Sequence, residues 1–297
     1  MNLVILGLGY SASVFARRMI AAGWHVQGTV RSLERATALR RDGIDASMFD
    51  ARAGALEEAM PDLAQADALL VSIPPSGEGR DFPERLSGSF LQAANRLRWI
   101  GYLSTIGVYG DYGGAWIDET ALCRPSSDRS RARLAAETSW QELGAKSNVP
   151  VVIFRLPGIY GPGRNALMAL RQGTARRIVK AGQVFNRVHV EDVATALELS
   201  LKSDAASAVY NVTDDEPSAP QDVITFAAAL LGIEPPPLID FADAALSPMA
   251  ASFYEESKRV CNGLIKRRLR FSPAFPSYRE GLRDLRNKGE GTWGGAA

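Results

Sequence analysis

Gly7, Gly9 and Ala12 form a G-x-G-x-x-A run directly after the apolar stretch NLVIL and ahead of the helical pattern VFARRMIAAG. In that setting Gly7 permits a tight turn, Gly9 lets the backbone approach a pyrophosphate, and Ala12 allows helix to pack closely on strand. The N–H groups that open the helix, at Tyr10, Ser11 and Ala12, are then placed to donate to an anion. The chemistry expected is dinucleotide binding. Where an NAD site sets an acid against the ribose hydroxyls, about 20 residues past the glycines, the chain reads GTVRS, with Val30 at the acid's position followed by Arg31 and Ser32. A cation and a hydroxyl suit a 2′-phosphate, so NADP is expected in preference to NAD. Asp50, after the third strand, is placed to reach the adenine edge. Ile73, Pro74 and Pro75, after the fourth, are expected to run along the ribose and pyrophosphate.

A second stretch raises the question of proton transfer. RPSSDRSRARLAAE, residues 124–137, holds four arginines and no Tyr, His, Lys or Cys. The whole chain has two histidines, His25 and His189, and two cysteines, Cys123 and Cys261, with no C-x-x-C. Neither a structural zinc site nor a disulfide framework is expected. Lys and Arg total 34 against 33 for Asp and Glu, and the short basic runs are scattered, so no nucleic-acid partner is expected. No apolar run reaches the roughly 18 residues of a membrane span, and the amino terminus runs straight into a strand pattern without the features of a signal peptide. A cytoplasmic location is the expectation, with a dinucleotide and a small molecule as partners and a homodimer as the assembly to look for.

The elements that must position these residues alternate. NLVIL, HVQGTV, IDASMF, ALLVSI, WIGYLS, VPVVIFRL and AVYNV read as strands. Helical patterns fall within 14–23, 32–43, around RLSGSFLQAANRL, and near 129–143, 191–202 and 220–231. This alternation predicts an α/β fold, a doubly wound parallel sheet with helices on both faces. Regularity declines after Tyr160, where GPGRNALMALRQG, GIEPPPL and RRLRFSPAFPSYREGL come between sheet-like segments. The reading is a dinucleotide-binding domain over 1–163, continued by about 187–215, with 164–297 mainly a small, discontinuous substrate lobe built from separate insertions. PPSGEGRDFP, residues 74–83, joins glycines to charged residues next to a strand end and is expected to act as a lid.

Several segments, taken in order, resemble the extended short-chain dehydrogenase/reductase family, its epimerase and dehydratase group, over nearly the whole chain. STIGVYG (104–110), FRLPGIYGPGR (154–164), RVHVEDVA (187–194), VYNVTDDEP (209–217) and SKRVCNGLIKRRLRF (257–271) carry the likeness. Within the family the chain resembles an atypical, YeeZ-like subgroup. The resemblance implies a Rossmann fold with a seven-stranded parallel sheet and a small carboxy-terminal lobe. It also implies that Pro157 touches the cofactor, and a mechanism in which a Tyr-x-x-x-Lys pair and a Ser or Thr do the chemistry.

Thr105 matches the Ser/Thr position, but the tyrosine and lysine positions carry Arg129 and Arg133. Arginine stays protonated in proteins and cannot serve as a general acid or base. Arg133 can still hydrogen-bond a ribose, and Arg129 can hold a carboxylate or phosphate through its planar fork. Tyr109, Tyr160 and His189 are expected to be structural. Asp111, Tyr112, Asp118 and Glu119, in the loop after strand five, remain as candidates for the missing acid/base. Two functions stay open: an NADP-dependent oxidoreductase, epimerase or dehydratase acting on a small anionic substrate, and a cofactor-binding sensor or regulator that has lost the chemistry.

Overall fold

The computed structural model describes residues 1–49, 63–75, 83, 96–203 and 206–291. Its centre is a sheet of seven strands: β1 (Asn2–Leu6), β2 (His25–Val30), β3 (Asp45–Met48), β4 (Ala68–Val71), β5 (Trp99–Thr105), β7 (Val151–Leu156) and β11 (Ala208–Asn211). They lie in the order β11-β7-β5-β4-β1-β2-β3, and every pairing is parallel. All seven predicted strands join this one sheet, and the fold is Rossmann-like.

Alternation along the strands explains the layers. Leu3 and Ile5 of β1 face one core, with Phe15, Ala16 and Met19 of α1 (Tyr10–Ala21), Leu39 of α2 (Leu33–Arg41) and Val193 and Leu197 of α5 (Val190–Lys202). Val4 and Leu6 face the other, with Ala136, Trp140 and Leu143 of α3 (Asp128–Ser147). Each face of a strand takes every second residue, so continuously apolar strands are covered on both sides.

The remaining elements are short. β8 (Gly158–Tyr160) pairs with β10 (Arg187–His189), β9 (Arg177–Val179) with β12 (Leu238–Asp240), and β6 (Trp116–Ile117) with β13 (Arg259–Val260). Tyr160, Leu167 and Leu170 of α4 (Ala166–Arg171), Val223 and Ala227 of α6 (Pro220–Leu231), and Leu282 and Leu285 of α9 (Tyr278–Asn287) form a separate apolar cluster. Helices α7 (Pro248–Ser252) and α8 (Gly263–Leu269) complete the described chain. Among the described residues no helix is long and apolar enough to cross a membrane. The predicted helix around RLSGSFLQAANRL falls mostly outside the described residues.

The loop after β5 is tied to the carboxy-terminal part. Ser257 N–H donates to Asp111 Oδ1 at 2.7 Å, and buried Lys258 Nζ donates to the Gly110 carbonyl at 2.5 Å. Gly110 cannot be replaced here: its φ is +72°, and a Cβ would lie 1.9 Å from the Arg124 carbonyl oxygen.

Past the end of β11, Asp214 is buried, and its Oδ2 has no hydrogen-bond partner among the described residues. Burial lifts its carboxyl from 3.8 to about 8 against the opposing pull of Arg187, with Asp215 and Glu216 adding to the rise. The folded state therefore holds the proton more tightly than the unfolded chain. The stability this brings is fully present below the unfolded value and is lost as pH rises toward about 8. Asparagine cannot ionise. The unfolding free energy of Asp214→Asn minus that of wild type should grow by on the order of 4 kcal/mol from pH 5 to pH 9, measured by urea denaturation. A pH-independent difference would contradict the assignment.

Candidate functional site

The strand order reverses between β1 and β4, and in open parallel sheets ligands bind at that crevice. Its walls are the β1–α1 turn and the segment after β4. Gly7 has φ +93°, and a Cβ there would lie 2.7 Å from Ile73 Cγ2 and 3.0 Å from Ile73 N, so glycine allows the two segments to touch. Gly7 N–H donates to Thr29 Oγ1 at 2.9 Å and Leu8 N–H to the Thr29 carbonyl at 2.7 Å, fixing the turn on β2.

Gly9 differs from Gly7. Its φ of −78° and ψ of −168° suit any residue, yet a Cβ would meet no atom within 4 Å. Glycine here keeps space open at the start of α1. That helix has no side-chain cap and no acid in its first turn, whereas Ser127, Asn165 and His189 cap α3, α4 and α5. Its leading N–H groups and dipole favour an anion in that space. Ala12 is fully buried and Ser11 nearly so. The Tyr10 hydroxyl donates to the Pro162 carbonyl at 3.0 Å, and burial raises it to about 12. These residues fit a dinucleotide diphosphate.

Arg31 is exposed at the end of β2, and Ser32 caps α2 by accepting from Arg35 N–H at 3.3 Å. Neither Arg31 nor Arg35 has an ion-pair partner among the described residues. Ile73 lies beside the Gly7 turn; it and Pro75 are half-buried, and Pro74 is exposed. Pro157 is half-buried between β7 and β8. Asp50 and most of the 74–83 segment expected to form a lid lie outside the described residues.

Helix α3 brings the two arginines to the sheet. Arg129, Arg133, Glu137 and Trp140 recur at spacings of four, four and three, which puts them on one stripe. Glu137 and Trp140 are buried against the strands. The Arg155 guanidinium clasps Glu137 with contacts of 2.7, 3.2 and 3.3 Å, and the Ser104 hydroxyl donates to the same carboxylate. Two turns up, the stripe passes the strand ends. Arg133 donates to the Leu103 carbonyl at 2.9 Å and to Tyr102 Oη at 3.2 Å, so it lies along β5. Arg129 is exposed, and its guanidinium sits 5.1 Å from the centre of the Phe253 ring, on the segment after α7.

Thr105 ends β5 and accepts from Gly107 N–H at 3.1 Å, which leaves its hydroxyl hydrogen to donate. A Cβ on Gly107 would meet Ser130 Oγ at 2.9 Å and Thr105 Oγ1 at 3.4 Å, so these two hydroxyls close on one glycine.

The acid/base candidates in the loop after β5 are all engaged. Backbone donors led by Ser257 hold Asp111 below the usual carboxylate range, and the Thr120 hydroxyl and N–H do the same for Asp118. Tyr112 donates to the Leu122 carbonyl at 2.6 Å. Burial pushes Glu119 up, but it accepts from Asn211 N–H at 2.8 Å, which ties the loop to edge strand β11. Tyr109 donates to Asn211 Oδ1 at 2.8 Å and Tyr160 to the Ser277 carbonyl at 3.2 Å. His189 accepts from Glu191 N–H at 3.2 Å, capping α5, and burial lowers it to about 4.

The sequence profile of the NAD dependent epimerase/dehydratase family matches residues 3–213. The chain belongs to that family. Protein YeeZ of Escherichia coli strain K12 is 28% identical over 269 residues, 89% of this chain and 94% of YeeZ. A functionally unknown conserved protein from Silicibacter pomeroyi superposes with a TM-score of 0.86 at 42% identity, covering 97% of this chain and 99% of the other. The UDP-glucuronic acid 4-epimerase of Bacillus cereus, in complex with UDP-glucuronic acid and NAD, gives a TM-score of 0.73 at 18% identity over 95% and 97% of the two chains. The human epimerase family protein SDR39U1, with NADPH, gives 0.70 at 18% identity over 97% and 99%. These distant likenesses bear on the fold of this epimerase/dehydratase family member.

Arg35, Ser130 and the partnership of Glu137 with Arg155 emerge only in the folded chain. Only Arg35 left a signal, three residues past the Ser32 cap; the others depend on how α3 meets the sheet.

Because Gly9 has an ordinary backbone conformation and open space beyond its Cα, Gly9→Val should leave thermal stability close to wild type. It should cut dinucleotide affinity about 100-fold or more by filling the phosphate site. Fluorescence titration with NADPH checks this. A folded variant with undiminished affinity would move the phosphate site elsewhere.

Proposed function

We propose that this chain binds NADP(H) and acts as an oxidoreductase, epimerase or dehydratase on a small anionic substrate. The observation that carries the cofactor part is the open space at Gly9, under an uncapped α1, with Arg31 and Arg35, at and just past the end of the neighbouring strand, without an ion-pair partner among the described residues. A 2′-phosphate would meet two guanidinium groups and the Ser32 hydroxyl, where an NAD site presents a carboxylate. The relatives' structures hold NAD in one case and NADPH in another, in keeping with either nucleotide. The preference for NADP rests on this chain's own arginines.

For the substrate, Arg129 supports an anionic group. It stands beyond the strand ends on the stripe of α3 that faces the sheet, and its charge is matched by no acid among the described residues. Thr105 would donate to a substrate oxygen, and Arg133 would turn from the Leu103 carbonyl to the nicotinamide ribose. The dinucleotide would supply hydride acceptance or donation when bound.

One observation favours a second reading, a sensor that binds the nucleotide without turning it over. Each described candidate for a general acid in the loop after β5 is already committed to a structural hydrogen bond. Incubation with NADPH and a panel of small 2-oxo acids separates the two. Sustained NADPH consumption supports the enzyme, and tight binding with no consumption supports the sensor.

Calorimetric titration should give tighter binding of NADPH than of NADH, and Arg31→Ala should weaken NADPH about tenfold while leaving NADH unchanged. Equal wild-type affinities would remove the NADP assignment. With NADP⁺ bound, Arg129→Ala should weaken small carboxylates by about 1.5–3 kcal/mol, the worth of a hydrogen bond to a charged group. Unchanged carboxylate affinity would remove Arg129 from the substrate site.

A further inference from the structure

We propose that Arg164 is a clamp for the cofactor's diphosphate, delivered across the crevice by the loop that follows β8. The proposal rests on the dinucleotide reading above and adds a residue on the far side of the site.

Arg164 is exposed, and its guanidinium lies 5.8 Å from the centre of the Tyr10 ring. Tyr10 is the first residue of α1, so this cation is parked beside the helix end where the diphosphate is placed. The side chain makes no hydrogen bond or ion pair with any described residue. A nearby acid, Glu290, is taken up by Gly163 N–H at 3.1 Å and Asn165 Nδ2 at 3.2 Å, and Glu191 by Arg18. An exposed guanidinium resting on a ring face is weakly held, by about 0.5–1 kcal/mol. A diphosphate offers charge-assisted bonds that are stronger.

The backbone around Arg164 is built to hold its position. Gly161 N–H donates to the Arg164 carbonyl and Arg164 N–H to the Gly161 carbonyl, each at 3.0 Å, closing a tight turn. Asn165 caps α4 by accepting from Met168 N–H at 3.1 Å and donates to the Gly161 carbonyl at 2.9 Å. The Tyr10 hydroxyl reaches this same turn at the Pro162 carbonyl. Gly161 makes the approach possible, because a Cβ there would lie 2.7 Å from Tyr10 Oη. The turn is thus docked on the first residue of the phosphate-binding helix, and only the arginine's head group needs to swing.

Affinities measured for NADPH, ADP-ribose and adenosine 2′-monophosphate, on wild type, Arg164→Ala and Arg164→Lys, test the clamp. Arg164→Ala should weaken NADPH and ADP-ribose about tenfold each and leave adenosine 2′-monophosphate, which lacks the diphosphate, unchanged. Arg164→Lys should recover part of the loss, since a lysine keeps the charge without the fork. Equal affinity of wild type and Arg164→Ala for ADP-ribose would overturn the clamp while leaving the dinucleotide reading intact. An equal loss for adenosine 2′-monophosphate would overturn it too, by placing Arg164 at the other phosphate. A wild type that binds neither NADPH nor NADH would overturn the reading on which the clamp rests.

Discussion

The pairing of Glu137 with Arg155 is the contact from which the site's geometry follows. Both side chains are almost completely buried, at 3% and 7% exposure, and they join helix α3 to strand β7. A buried ion pair is a poor source of net stability, because desolvation offsets much of the attraction, but removing one partner leaves a buried charge that costs about 3–5 kcal/mol. Its effect is therefore specificity. A slip of α3 by one residue would strand both charges, so the helix is held in one register. Arg155 extends the constraint by stacking 4.8 Å from the centre of the Tyr109 ring, and Tyr109, Asn211 and Glu119 carry it onward to the loop after β5. Arg133 and Arg129 inherit their places from this pair, one and two turns nearer the amino end of α3.

Charge is local in this protein. Net charge is only +1, yet Arg31, Arg35, Arg164 and Arg129 each lack an ion-pair partner among the described residues, and α1 adds the positive end of its dipole. Some arginines are matched, as Arg18 is with Glu191, Arg279 with Glu216 and Arg131 with Asp128. Exposed cations without a partner repel one another where they lie close and weaken the free protein slightly. Such an arrangement is offset when an anion arrives, as binding and charge neutralisation coincide.

Much of this was legible in the chain. Continuous apolar runs such as ALLV and VVIF indicate strands buried on both faces, and glycines at 7 and 9 mark the crevice, because both signals are local. The three small pairings, β6 with β13, β8 with β10 and β9 with β12, left no such trace. Strands of two or three residues arise from long-range contact and carry no period to read. The same limit hid the site's support. Glu137 and Arg155 stand 18 residues apart on different elements, and nothing in either neighbourhood pairs them. The tyrosine and lysine positions were readable only through the family resemblance, and so was the difficulty that Arg129 and Arg133 raise. The commitment of Asp111, Asp118 and Glu119 to turns and strand ends required coordinates, since side-chain hydrogen bonds decide it.

On the reading proposed above, one crevice, between the β1–α1 turn and the end of β4, takes a dinucleotide whose nicotinamide end lies along α3. A crystal structure with NADPH tests it most directly. The diphosphate is expected over Gly9 at the start of α1, and Arg133 within hydrogen-bond distance of the nicotinamide ribose after leaving the Leu103 carbonyl. A cofactor bound outside that crevice, or an Arg133 still bonded to Leu103 with the ribose beyond its reach, would contradict it.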